Sequence, residues 1–499
     1  MTRIGRRPRW LAVALAASVG ASVLGESPAL GQQESWDAVY IAGNKVGYNR
    51  IGVETLKDKG RTLLRVRVDF NLSFKRGNDN VAIEVNYGTI ETPEGQVLKL
   101  DTKTYASQTA LRVHGDVVDG KMKLAIENGS QRQQKVIPWG PDVMGPYGPE
   151  LSFSRNPIKP GEVRTLKTFV PDLNIVGVAT LTAGTIEPIP LGGGAVRDLL
   201  KVVQKVNTED GKRMESMDQT FWVDASGQVL KTRNDVFGGM ETFRTTKEAA
   251  MRPAGQFDML NASVIKVPRK ITNPESSRDI VYKVTMTDAD PTTLFPNDRR
   301  QTIKAGSDPK TATLQVKSAG PLDGPIQAEA IGAEYLRSNA LITSTDLKVV
   351  ALARRAVGQA TDPWAKAQAI NKWVHENMKN KNFETGFAPA DEVARTLSGD
   401  CTEHGVLTAA MCRSEGIPAR VVVGLGYAAS LDGFGFHMWD EVYVNQRWVA
   451  IDSAFDETQV DAVHIKLSET SLDGVSPFET FLSVARVANK LKIEATEIR

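Results

Sequence analysis

The chain has 499 residues, too many for one hydrophobic core, so two to four domains are expected. Its composition, 41% hydrophobic and 24% charged, is that of an ordinary globular protein and excludes a low-complexity or fibrous chain. The formal net charge is +2, but Arg3, Arg6, Arg7 and Arg9 lie in the first nine residues, and the remainder, near −1, excludes a nucleic-acid footprint.

Those arginines precede a short apolar run, LAVALAASVGASVLG, and then Ala29-Leu30-Gly31, a small-x-small pattern. Together they read as a secretory signal over residues 1–31. The run is shorter than the ~20 residues a spanning helix needs, and small residues dominate it. The expectation is an exported protein, periplasmic or secreted, with no stable membrane insertion after signal cleavage.

From 32 to 255 the pattern is mostly period two. Leu64, Val66, Val68, Phe70, Leu72 and Phe74 alternate with Arg65, Arg67 and Asp69, as in a half-buried antiparallel strand. Hairpin signals recur at Pro93-Glu94-Gly95, Asp119-Gly120, Asp210-Gly211 and Ser226-Gly227. A large antiparallel β domain is predicted. Gly192-Gly193-Gly194 reads as a loop, since no helix and lysine follow to make a phosphate cradle. A second short β pattern over 270–322 predicts a small β domain or an extension.

Near Ile331 the period becomes helical. Leu347 to Val357 and Trp364 to Met378 carry apolar residues at helix spacing, the second after Asp362-Pro363, a helix-start signal. A loop, a helix over 401–415, a β-branched strand (RVVVGLGY), a hairpin from His437 to Ile451, a helix near Phe478 to Ala488 and a last strand (LKIEATEI) follow. Residues 328–499 therefore predict an α+β domain.

Chemistry concentrates at Gly399-Asp400-Cys401-Thr402-Glu403. Asp400 followed by Glu403 is an N-cap with its capping-box partner. Cys401 then takes the first helical position, where unpaired N–H groups and the helix dipole lower a thiol pKa. The other cysteine, Cys412, falls in the same helix, and eleven helical residues separate the Cα atoms by roughly 16 Å. That is too far for a disulfide, which needs about 7 Å or less. Cys412 reads as a buried small hydrophobe.

A thiolate needs a proton carrier and that carrier needs an orienting acid. His437 opens one strand and Asp452 ends the next. If Asn445-Gln446 is a two-residue turn, Val444 pairs with Arg447 and Asp452 falls opposite Trp439. His437 and Trp439 share a face, so Asp452 becomes a same-face diagonal neighbour of His437. A one-residue slip would send Asp452 to the other side. His404, three residues after Cys401, is open to two readings. It supports the helix or aids the thiolate, or with Cys401 and His437 it forms a zinc set, which the lack of paired cysteine spacing disfavours. His114, His375 and His464 lie in patterns far from the motif and read as surface or core residues. Trp439 reads as core packing or as a shield for the His–Asp pair.

The run GDCTEHGVLTAAMCRSEGIPARVVVGLGY followed by FHMWDEVYVNQRWVAIDSAF resembles the core of the transglutaminase-like superfamily. Cys401, Gly416-Ile417-Pro418-Ala419-Arg420, His437, Trp439 and Asp452 fill that family's pattern in order. The resemblance is strongest over 395–456 and extends from about 330 to the end. It implies a papain-like α+β fold with Cys401 as nucleophile, His437 as general base then acid, and Asp452 as orienter. It also implies an acyl-thioester formed from an amide or ester of a protein or peptide, passed to water or to an amine. The Cys401 N–H would form half of an oxyanion hole, with Asn382 or Trp373 as candidates for the rest. No cofactor or metal is expected, since no calcium loop is present. A non-catalytic scaffold with this fold is the remaining alternative.

Overall fold

The computed structural model describes residues 33–499, apart from 77–78, 106–109, 129–130, 172, 192–193, 236–238, 256, 259–262, 324–325, 327–330, 381–386, 474–482 and 485. The expected signal over 1–31 therefore lies outside the described residues, as do Asn382 and most of the helix expected near Phe478–Ala488.

Period-two alternation from Gln33 to Thr245 folds into one 15-stranded sheet. Its first strand, Gln33–Ile41, sits in the middle, pairing with Asn44–Asp58 on one side and with Met240–Thr245 on the other. The expected turns do the folding. Asp119 and Gly120 both take positive φ, 52° and 67°, between the paired Val118 and Lys121, as a tight hairpin requires. The two edges of the sheet, Gln131–Pro138 and Val143–Met144, are neighbours in sequence. Trp139 between them rests on Phe169 at 5.6 Å, so Ile137, Val143 and Val176 share one core and the sheet curls back on itself.

The C-terminal half is α+β. Helices Leu347–Val357, Pro363–Asn377, Ala390–Thr396 and Cys401–Ser414 precede the strands Ala419–Ala428, Gly433–Val444, Arg447–Ile451 and His464–Thr470. Asp346, Asp362 and Asp400 each cap a helix through a side-chain oxygen. The helices bury Val349, Ile370, Val374, Val406 and Leu407 against Val421, Val423, Met438 and Val442 on one face of the sheet. No helix among the described residues is long and apolar enough to cross a membrane.

The stretch 270–322 belongs to this half. Asp279–Met286, Gln301–Ala305 and Thr311–Lys317 form one sheet with the final strand Leu491–Ile498. That sheet packs Tyr282, Val284 and Leu314 onto Leu425, Phe434 and Ile465 of the C-terminal strands. The last strand is what ties it there, a pairing between positions two hundred residues apart that local periodicity does not reveal.

Candidate active site

Asp400 caps the Cys401–Ser414 helix, and its Oδ1 accepts the Thr402 N–H at 2.8 Å. Glu403 closes the capping box, taking the Asp400 N–H at 3.0 Å and, with its other oxygen, the Ala388 N–H at 3.0 Å. Burial, then the adjacent Asp400 charge, push the Glu403 carboxyl up to about 8. His404 turns back onto its own helix, with Nδ1 2.7 Å from the Asp400 carbonyl. Cys401 stands half-buried at the first helical position, and both cysteines are free thiols. Cys412 is fully buried, and burial pushes its thiol pKa up.

The turn at Asn445-Gln446 has φ of 50° and 58°, and Val444 pairs with Arg447. The ladder runs to Asp440 opposite Ile451, which sets Asp452 one step further, across from Trp439. Asp452 Oδ2 accepts from His437 Nε2 at 2.6 Å, and Oδ1 accepts from the N–H groups of Ala454 at 2.7 Å and Phe455 at 3.3 Å. Burial would raise this carboxyl, but His437 and His464 overcome it and hold Asp452 well below the usual carboxylate range.

The helix lies along the strand that carries His437. A Cβ on Gly405 would stand 3.0 Å from Met438 Cε and 3.7 Å from the Asp440 carboxylate. Two turns on, Arg413 donates to the carbonyl of Ala419 at 3.0 and 2.8 Å, and Ala419 pairs with Val442. Helix and strand thus run in the same direction. Cys401, one turn before Gly405, comes over the Phe436–His437 end, and Cys401 and Phe436 pack against the same core.

By strand parity His437 faces away from the helices, on the side of Trp439 and Glu441. Ile265–Lys266 pairs only with Phe434 and Gly433, and Arg447–Ile451 only with Asp440 to Val444. Between them lie positions 435–439, which neither of these two strands reaches. The His437 ring lies with Cγ and Cδ2 over Gly426, where an added Cβ would be 3.1 and 3.2 Å away. His437 is 5% exposed, stacked between Phe455 at 4.6 Å and Trp439 at 6.0 Å.

His464 is a correction to the sequence reading, which put it far from the motif. It stands on the strand beyond Gly426, with Nε2 3.1 Å from Asp452 Oδ2 and Nδ1 2.7 Å from Asp461 Oδ1. Burial would lower its pKa, but hydrogen bonds to Asp452 and Asp461 push it up to about 9. Asp461 and Phe455 also went unnoticed. The only signal for this cluster was Gly424 and Gly426, which leave the middle strand bare under the Trp439 and His437 rings.

Two groupings bring three ligand-type atoms within 4.8 Å of one another: His437, Asp452 and His464, and Glu457, Asp461 and His464. In the first, the imidazole nitrogens stand 2.6 and 3.1 Å from one carboxylate oxygen. Ligand atoms on a tetrahedral zinc, each about 2 Å from the ion, stand ~3.3 Å apart, so the 2.6 Å spacing is that of a hydrogen bond. Both groupings read as shared-proton networks.

A thiol at a helix start and, on the strand that this helix lies along, an imidazole held by a carboxylate are the side-chain types that a cysteine-type acyl-transfer site uses. Residues 350–453 match the transglutaminase-like superfamily, and this segment belongs to it. An uncharacterized protein of Haemophilus influenzae is 33% identical over 101 residues, which cover 19% of this chain and 27% of that protein. The chain thus spans about a quarter of that relative's length. A Cytophaga hutchinsonii structure provisionally assigned as a cysteine protease is 17% identical, covering 44% of this chain and 86% of its own, with a TM-score of 0.29. A β-barrel-like protein from Brucella abortus is 11% identical, covering 44% and 97%, with a TM-score of 0.30. Likenesses of this depth decide nothing about activity.

Proposed function

We propose that the chain is an exported cysteine hydrolase acting on amide bonds of a protein or peptide through an acyl-thioester at Cys401. The observation that carries this is the His437 Nε2 bond to Asp452 at 2.6 Å, which commits one ring nitrogen to the carboxylate and leaves Nδ1 as the nitrogen that would exchange a proton with Cys401. The Cys401 thiolate adds to the amide carbonyl carbon, and the Cys401 N–H, at a helix start where N–H groups point outward, supports the oxyanion. The C–N bond then breaks as the His437 imidazolium gives its proton to the departing amine. Water adds to the thioester, yielding a proton to His437, and the C–S bond breaks to release the acid and restore the thiolate. Asp452 holds His437 in the tautomer this requires.

A thiol-reactive amide probe on the full-length protein tests the reading. Labelling at Cys401 that His437→Ala abolishes supports an enzyme. Unreactive Cys401 at neutral pH would leave a scaffold with this fold. A glutamine peptide supplied with a labelled amine then separates the outcomes: ammonia release or chain cleavage supports hydrolysis, and amine incorporation would reassign the chain as a crosslinking enzyme.

A further inference from the structure

The Asp452 carboxylate is shared between two imidazoles, and only His437 has a part in the mechanism above. His464 reaches the same oxygen, Oδ2, at 3.1 Å and is gripped from behind by Asp461 at 2.7 Å. Both of its ring nitrogens therefore meet carboxylates. A carboxylate accepts and does not donate, so both nitrogens must carry protons, and that species is the imidazolium. We propose that His464 is a positioning residue, a fixed cation that shares the charge of Asp452 and so tunes how readily His437 gives up its proton.

The clamp is built, not incidental. His464 is 2% exposed and Asp461 equally sealed. Asp461 is fixed by its Oδ1, which also takes the Val463 N–H at 3.0 Å, and by its own N–H on Glu457 Oε2 at 2.9 Å. Arg300, reaching in from the 279–317 sheet, donates to the Asp461 carbonyl at 2.6 Å, and the Tyr282 hydroxyl to the Ala462 carbonyl at 3.0 Å. The charged and titratable groups around His464 are thus Asp452, Asp461, Glu457, His437, Arg300 and Tyr282. Gly424 and Gly426 keep the floor of the cluster clear, since a Cβ at Gly424 would be 2.7 Å from Trp439 and one at Gly426 3.1 Å from His437.

The chemistry that follows rests on the hydrolase reading above. An imidazole alone with a full carboxylate charge in a sealed site is favoured in its charged form, which makes it a poorer acid for a departing amine. A proton carrier works best when its pKa lies near the working pH. The second cation, with ring centroids 5.3 Å from His437, offsets part of that pull. Burial pulls His464 down, but its two carboxylates keep it at about 9, charged throughout the neutral range.

Nitrogen-15 histidine labelling of the full-length protein tests this without a substrate. The expected result is an imidazolium signature for His464 at pH 7.5, assigned by its loss in His464→Gln, and a His437 titration that moves up by about one unit in that variant. Asp461→Asn, which keeps the oxygen that accepts the Val463 N–H, should move His437 in the same direction by less. It reads the effect even if His464→Gln fails to fold. A merely structural role would lower the melting temperature and leave the His437 titration in place. The proposal is overturned if His464 is a neutral imidazole at pH 7.5, or if His437 titrates unchanged in the folded variants. Labelling of Cys401 by the amide probe in the same samples is a separate readout. If Cys401 is unreactive in the native chain, the hydrolase reading fails, whatever the state of His464.

Discussion

In the N-terminal sheet one ion pair stands in solvent: Lys99 and Asp116 meet at 3.3 Å with side chains 67% and 62% exposed. In the C-terminal half the comparable pairs are sealed: Lys466 and Glu441 meet at 2.5 Å with side chains 2% and 4% exposed, and His437 and Asp452 at 6% and 1%. Exposed pairs are screened and contribute at most about 1 kcal/mol. Sealed pairs carry a desolvation cost that their attraction offsets only when geometry and further hydrogen bonds are good. The Lys99–Asp116 pair can therefore lose its charges with little effect. In the C-terminal half each charge fixes where a neighbour stands, and removing one leaves another stranded.

That contrast can be broken at several depths. The largest expected effect is on chemistry: His437→Ala should cut the labelling rate of Cys401 by about 10²–10⁴-fold, read by mass spectrometry. Next comes stability. Glu441→Gln removes the charge that Lys466 meets at 2.5 Å, leaving it Asp298 at 2.6 Å, and weakens the pair with Arg420 at 2.7 Å; urea unfolding should show a loss of about 3 kcal/mol.

The third is a pH dependence. His464 rises from 6.5 to about 9 on folding, so its contribution is fully present below about pH 6.5 and is lost as pH rises through 9. A shift of that size is on the order of 3 kcal/mol. Glu403, raised to about 8, acts in the same direction above its ordinary 4.5, because the folded state holds its proton longer. Melting temperature measured from pH 6.5 to 9 should fall, and a flat or rising profile would contradict the buried-cation assignment. The smallest effect belongs to the other region. Lys99→Ala and Asp116→Ala should each change unfolding free energy by no more than about 0.5 kcal/mol, and a larger loss would dissolve the comparison.

Local rules made much of this legible. The alternation around Leu64 to Phe74, the Asp119-Gly120 turn and the Asp400/Glu403 capping box each depend on residues a few positions apart, and each appears as a strand, a hairpin and a helix start. The Asn445-Gln446 turn carried the register, and with it Asp452 onto the side of His437. What escaped depends on distant strands. His464 meets Asp452 only because its strand pairs with Gly424 to Gly426, and the 270–322 stretch joins the C-terminal half only because Leu491–Ile498 completes its sheet. Strand neighbours so far apart in sequence leave no periodic trace. Phe455, 53% exposed yet stacked on His437, looked like any residue after a strand end.

The most direct test of a Cys401–His437 pair is the pH dependence of Cys401 alkylation by iodoacetamide in the full-length chain. A thiol paired with an imidazolium should react well below pH ~8.5, the ordinary thiol value, and His437→Ala should return its profile to that value. If the native chain and the His437→Ala variant give one superimposable curve centred near the ordinary thiol value, sulfur and imidazole do not act together.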